Sequence, residues 1–217
     1  MKHIVLTGFA PFGGEEVNPS WLAIQAFQAT YQPTPQVRIS TLELPVTFAD
    51  CFTPLEQLLR TTPADLVICI GQAGGRAAFC LEKVAINYVH ARIADNAGQQ
   101  PLDQAVIADA PTAYFSSLPL GTLLTACQQA KVPTTVSYSA GTFVCNALFY
   151  KLMHFIDTEK TATAAGFIHI PYAPMQVVGK AEPWMAIEMV SRGLKACIDA
   201  FLAGAPAATT ADVGTLD

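Results

Sequence analysis

The chain has 217 residues, 52% of them apolar and only 13% charged, and 12 basic against 17 acidic side chains leave a net charge of −5. These figures exclude a disordered chain, a coiled coil and a collagen-like repeat, and the lack of any basic cluster argues against a nucleic-acid partner, which needs clustered positive charge. No apolar run approaches the ~20 residues that cross a bilayer, so no membrane partner is expected, and the low charge density points instead to a homo-oligomer.

The first eight residues carry three strong apolar side chains before Gly8. A secretory leader needs about 7–15, so the chain reads as cytosolic. Residues 3–7 form a short β-rich run. Gly8-Phe9-Ala10-Pro11-Phe12-Gly13-Gly14 must be a loop, and Asn18-Pro19-Ser20 opens a helix over 21–30, with Asn18 as cap and Pro19 in the first turn. A strand over 37–44 and a helix over 48–60 follow. The strand over 65–71 is continuously apolar from Leu66 up to Gly71, the pattern of a central strand covered on both faces. A second alternating strand spans 83–90, and 92–103 is a polar, turn-rich loop. Helices over 120–131 and 145–156 flank a strand over 134–138. Residues 164–170 make a last strand, stopped by Pro171, and 183–202 a final helix. Residues 205–217 are small and polar and read as a loose tail.

Strands and helices alternate throughout, so the fold class is α/β: residues 1–204 form a single-domain three-layer α/β/α sandwich around a twisted, mostly parallel sheet. Active sites of such folds lie at the carboxyl ends of strands. The loops that begin at Gly8, Gly71, Tyr138 and Pro171 are therefore expected on one rim.

Six cysteines show no Cys-x-x-Cys pair and no repeating spacing, which suggests neither a metal site nor a disulfide framework. Cys145 differs from the other five. It follows the loop Ser139-Ala140-Gly141-Thr142 and falls in the first turn of a helix, where free N–H groups and the helix dipole lower a thiol pKa. The structural alternative is a small buried hydrophobe. His169 lies near the end of an apolar strand, placed either as a core histidine or as a base; His90 is its rival. Glu82 stands at the mouth of an apolar segment, either paired with Lys83 in solvent or as an orienting acid. Together Cys145, His169 and Glu82 supply a thiol nucleophile, a base and an acceptor to orient that base.

Several blocks resemble the pyroglutamyl peptidase I (pyrrolidone-carboxylate peptidase) family. They are Gly8-Phe9-x-Pro11-Phe12-Gly13-Gly14 with Asn18-Pro19-Ser20, Gly71-Gln72-Ala73-Gly74-Gly75-Arg76 with Glu82 and Val84-Ala85-Ile86-Asn87, Ala91-Arg92-Ile93-x-Asp95-Asn96, Ser139 through Asn146, and Phe167-Ile168-His169-Ile170-Pro171. The resemblance implies a cytosolic cysteine peptidase, usually a homotetramer, that removes an N-terminal pyroglutamyl residue from peptides without cofactor or metal. It carries the nucleophile onto Cys145, the base onto His169 and the orienting acid onto Glu82. The substrate pocket falls on Phe9, Phe12, Asn18, Phe143 and Val144, with Gln72 and Arg92 nearby. His90 stands where family members often have an acid, and the tail matches nothing.

Two other classes compete. A nucleoside phosphorylase-like enzyme on a similar sandwich would need phosphate-binding cations, for which the rim offers Arg76 and Arg92. A non-catalytic binding module would leave Cys145 an ordinary thiol.

Overall fold

Alternation of apolar side chains along β1 (Lys2–Phe9) sends Ile4 and Leu6 to one face and Val5 and Phe9 to the other, and both faces are buried. In the computed structural model, which describes residues 1–204 and Gly214, this strand runs beside β2 (Val37–Leu44) and β3 (Leu66–Gln72). The expected loose tail lies, Gly214 apart, outside the described residues. The remaining strands are β4 (Phe79–Glu82), β5 (Val84–Ile86), β6 (Ala113–Phe115), β7 (Thr134–Ser137) and β8 (Ala164–Ile170). The main sheet has six strands in the order β2-β1-β3-β8-β4-β7, parallel except where β4 meets β8.

Helices cover both faces. On one side α1 (Pro19–Thr30), α3 (Leu120–Gln129) and α5 (Ile187–Leu202) bury Ile24, Phe27, Leu123, Leu124 and Leu194 against Ile68, Ile70 and Ile168. On the other, α2 (Thr53–Thr61) and α4 (Val144–Thr158) pack Leu55, Leu148, Phe149 and Leu152 on Val67, Cys69 and Phe167. This is the three-layer sandwich expected from the sequence.

Asn18 caps α1 as expected, in extended backbone, with its Oδ1 accepting from the Ser20 N–H at 3.1 Å. Three local expectations fail. The strand expected over 83–90 is divided. Lys83 donates its N–H to Ser137 at 2.7 Å while its carbonyl accepts from Ser116 at 2.9 Å, so the chain changes sheets there and β5 pairs with β6. The helix expected from residue 48 begins only at Thr53, because the preceding turn is held by Lys151, whose ammonium donates to the carbonyls of Phe48 and Ala49. The last helix begins at Ile187 rather than residue 183, because Trp184 bridges Tyr172 and the Met185 N–H donates to the Tyr172 carbonyl at 3.0 Å.

The antiparallel step also corrects the single-rim expectation. β4 and β7 run against β8, so the chain leaves β7 at the opposite edge from Gly8, Gly71 and Pro171. The segment after β7 must return to reach α4.

Candidate active site

Register determines which side chains share a face. Cys80 lies opposite His169, and Gly71 lies beside His169 on its other flank. Glu82, two residues beyond Cys80, therefore points to the same face as His169, the face covered by α4. The result is a direct bond. His169 Nδ1 donates to Glu82 Oε1 at 2.7 Å, with the Glu82 side chain fully buried and the His169 side chain 5% exposed. This excludes the alternative of a solvated Glu82 paired with Lys83, whose ammonium instead lies 5.1 Å from the Phe115 ring centroid.

Cys145 reaches the same place from α4. Glycine at position 71 makes this possible, since a Cβ there would come within 2.8 Å of the Cys145 Sγ and of the Phe167 ring. The thiol thus rests on the β3 backbone beside the strand position of His169. The loop before Cys145 is anchored at Thr142, whose hydroxyl and carbonyl both bond the His90 backbone, at 2.8 and 3.1 Å. His90 itself is exposed. The buried Asn146 then ties α4 to the chain after β5: its Oδ1 accepts from the Ile86 N–H, and its Nδ2 donates to the Ile86 and Tyr88 carbonyls.

Arg76 completes the cluster. Its guanidinium donates to Glu82 Oε1 at 2.8 Å, to Ser137 Oγ at 2.9 Å and to the Ser139 carbonyl at 2.7 Å. Glu82 Oε1 is therefore shared by His169 and Arg76, and the loop leading to Cys145 is tied to the same cation. The Gly-rich segment 71–76 is no phosphate cradle: Gly74 lies so close to Tyr172 that a Cβ would fall 2.2 Å from its hydroxyl, and the arginine turns inward. Sequence reasoning missed Arg76 as part of the site. The available signal was a buried acid six residues on that needs a cation.

Electrostatics correct one further expectation. The helix terminus was expected to lower the Cys145 pKa, but burial pushes it up to about 12, with Cys51 and Glu82 adding to the rise and Arg76 opposing it. Burial likewise holds His169 below its ordinary 6.5, with the Glu82 hydrogen bond and charge acting against that and Arg76 with it. Both groups are neutral at pH 7. Desolvation is the largest cause of both shifts.

The expected pocket residues divide into four groups. Phe12 and Phe143 meet at 6.2 Å between ring centroids, and Phe48, which the sequence did not single out, stands edge-on to Phe143 at 5.2 Å. Phe9 and Val144 are buried in the core on the α4 side. Asn18 has its amide engaged locally, accepting from Ser20 and donating to the Ala10 carbonyl. Gln72 and Arg92 line an open cleft of about 450 Å³ with Phe12, Tyr172, Glu15 and Glu182. Asn96 ties the polar loop to the segment before α1, donating to the Pro11 carbonyl at 2.8 Å, while Asp95 holds that loop through the Phe48, Ala97 and Gln99 N–H groups.

The family model for pyroglutamyl peptidase matches residues 2–203. The chain belongs to the pyroglutamyl peptidase family. It is 45% identical over 200 residues to a pyrrolidone-carboxylate peptidase of Streptomyces coelicolor, covering 92% of each chain. It is 46% identical over 203 residues to pyrrolidone-carboxylate peptidase 1 of Ralstonia nicotianae, covering 93% and 94%. Among solved structures, pyroglutamyl peptidase I from Bacillus amyloliquefaciens superposes with a TM-score of 0.87 at 39% identity, over 92% of this chain and 94% of that one. Family membership removes the phosphorylase-like alternative. Among the described residues no helix is long and apolar enough to cross a membrane.

Proposed function

We propose that this protein hydrolyses the bond after an N-terminal pyroglutamyl residue by acyl transfer through Cys145, His169 and Glu82. The observation that carries this reading is the buried Glu82–His169 bond on the sheet face where Gly71 admits the Cys145 thiol. Because Nδ1–H is committed to Glu82, Nε2 carries the free lone pair. As Cys145 attacks the pyroglutamyl carbonyl, its proton passes to Nε2. The imidazolium protonates the departing amine, the C–N bond breaks, and a thioester remains. Water then gives a proton to His169, adds to the thioester, and the thiol leaves with that proton. The helix α4 has no side-chain cap at Phe143, which leaves its first-turn N–H groups as donors for the oxyanion.

The pyroglutamyl ring fits a slot walled by Phe12 and Phe143, with Phe9 and Val144 as core support and Asn18 shaping the loop. Gln72 and Arg92 serve the polar edge. Glu15 and Glu182 add acids to the open cleft that the sequence reading did not foresee. The aromatic slot itself carries no carboxylate, so it favours a neutral lactam over an open chain with a free α-ammonium. Exposed Met175, Val178 and Trp184 support a homo-oligomer.

The test is kcat/KM on pyroglutamyl, glutaminyl and prolyl 7-amido-4-methylcoumarins. The lactam substrate should be preferred by about a hundredfold or more. Comparable rates on all three would refute the assignment.

A further inference from the structure

Gln176 forms part of a side-chain relay whose direction is determined by groups that cannot change role. It lies in a single 3-10 turn, Pro174–Gln176, and is 7% exposed. The Ala173 backbone N–H donates to its Oε1 at 2.9 Å. A backbone N–H can only donate, so the atom facing it must be the amide oxygen. Gln176 Nε2 therefore faces the other way, where it donates to Gln72 Oε1 at 2.9 Å and to the Glu15 carboxylate at 3.4 Å. The carboxylate, an acceptor, imposes the same orientation from the opposite end. Gln72 must then turn its oxygen inward, which leaves its NH₂ as the group it offers to the cleft.

We propose that Gln176 is a positioning residue that fixes Gln72 as a hydrogen-bond donor, so that Gln72 reads a carbonyl oxygen of the pyroglutamyl unit. The inference rests on the pyroglutamyl reading and adds to it a reason for the sign of the recognition. A glutamine free to rotate would present donor or acceptor equally and discriminate poorly. A glutamine held by this relay rewards an acceptor and repels a donor, and a charged amine is the strongest donor a rival substrate can bring.

The test is a double-mutant cycle on pyroglutamyl-7-amido-4-methylcoumarin. Gln176→Glu still accepts from Ala173 but has no proton for Gln72, whose amide then turns over to donate to the new carboxylate and shows its oxygen to the cleft. Gln72→Ala and Gln176→Glu should each lower kcat/KM by about tenfold, mainly through KM, and the double variant should be no worse than Gln72→Ala. Gln72→Glu gives a second route that leaves the turn untouched: it keeps the bond from Gln176 but offers only acceptors outward, and it should lose at least as much as Gln72→Ala. An equal cost of Gln176→Glu in both backgrounds, or full activity of Gln72→Glu, would overturn the inference. A wild-type protein inert toward the coumarin substrate would instead remove the functional reading beneath it.

Discussion

Glu82 Oε1 accepts from both His169 and Arg76, and this shared oxygen governs how basic the imidazole can be. The carboxylate stabilises an imidazolium, while the guanidinium and the burial of the ring oppose it. The charged groups acting on His169 are thus Glu82 and Arg76; Cys80 and Cys145, which share its face, are thiols held neutral by raised pKa values. The sign follows. His169 must be neutral to take the thiol proton, so kcat/KM should fall on an acid limb that lies below the ordinary histidine value of 6.5, because burial lowers the pKa of the ring. Arg76→Met removes a positive charge beside the ring, raises the His169 pKa and should move that acid limb to higher pH, with Arg76→Lys restoring part of the shift. A kcat/KM profile from pH 5 to 9 reads this directly. A lower rate at every pH with the limb unmoved would mean that Arg76 only braces the loop through Ser137 and Ser139.

At the scale of elements, the site depends on the close approach of α4 to β3. Gly71 is the contact that permits it, and an added methyl there meets both the thiol and the Phe167 ring at 2.8 Å. Phe167 cannot yield easily, being fully buried with Phe9 and Phe149 rings at 6.4 and 6.0 Å. Gly71→Ala should therefore cost about 1–3 kcal/mol in a urea melt and lower kcat by at least tenfold, since the nucleophile is displaced. A fully active, fully stable Gly71→Ala would show that the thiol does not rest on this strand. Element boundaries were legible where one signal dominated. The β2 and β8 spans and the Asn18 cap follow from alternation, Pro171 and local capping chemistry. They were not legible where partners are distant in sequence: residues 83–90 look like one strand until Ser116 and Ser137 are seen to bond Lys83 on either side, and Trp184 leaves a helical pattern only because Tyr172 lies beside it.

Across the whole molecule, alternation of strands and helices was enough to give the three-layer architecture, and residue chemistry was enough to single out Glu82 and His169, which the fold bonds to each other, and Cys145, which it brings beside Gly71. The direction of β4 and β7 was not readable, because antiparallel pairing with β8 is a matter of long-range register rather than local pattern. That one step moves Glu82 and the loop before Cys145 from a shared rim to a shared face. The protonation state of Cys145 was equally hidden. A helix terminus is visible in sequence, whereas the burial that raises the thiol pKa comes from Gly71, Phe167 and their neighbours brought together by the fold.

One half-buried thiol, neutral at rest, is proposed to carry the chemistry for an N-terminal lactam. The decisive measurement is hydrolysis of pyroglutamyl-7-amido-4-methylcoumarin by the wild-type protein and by Cys145→Ala, with circular dichroism to verify that both are folded. Turnover by the wild type and none by the folded variant is the expected result. Substantial turnover by Cys145→Ala would contradict it, because no other thiol among the described residues shares a site with the Glu82–His169 pair while only half-buried.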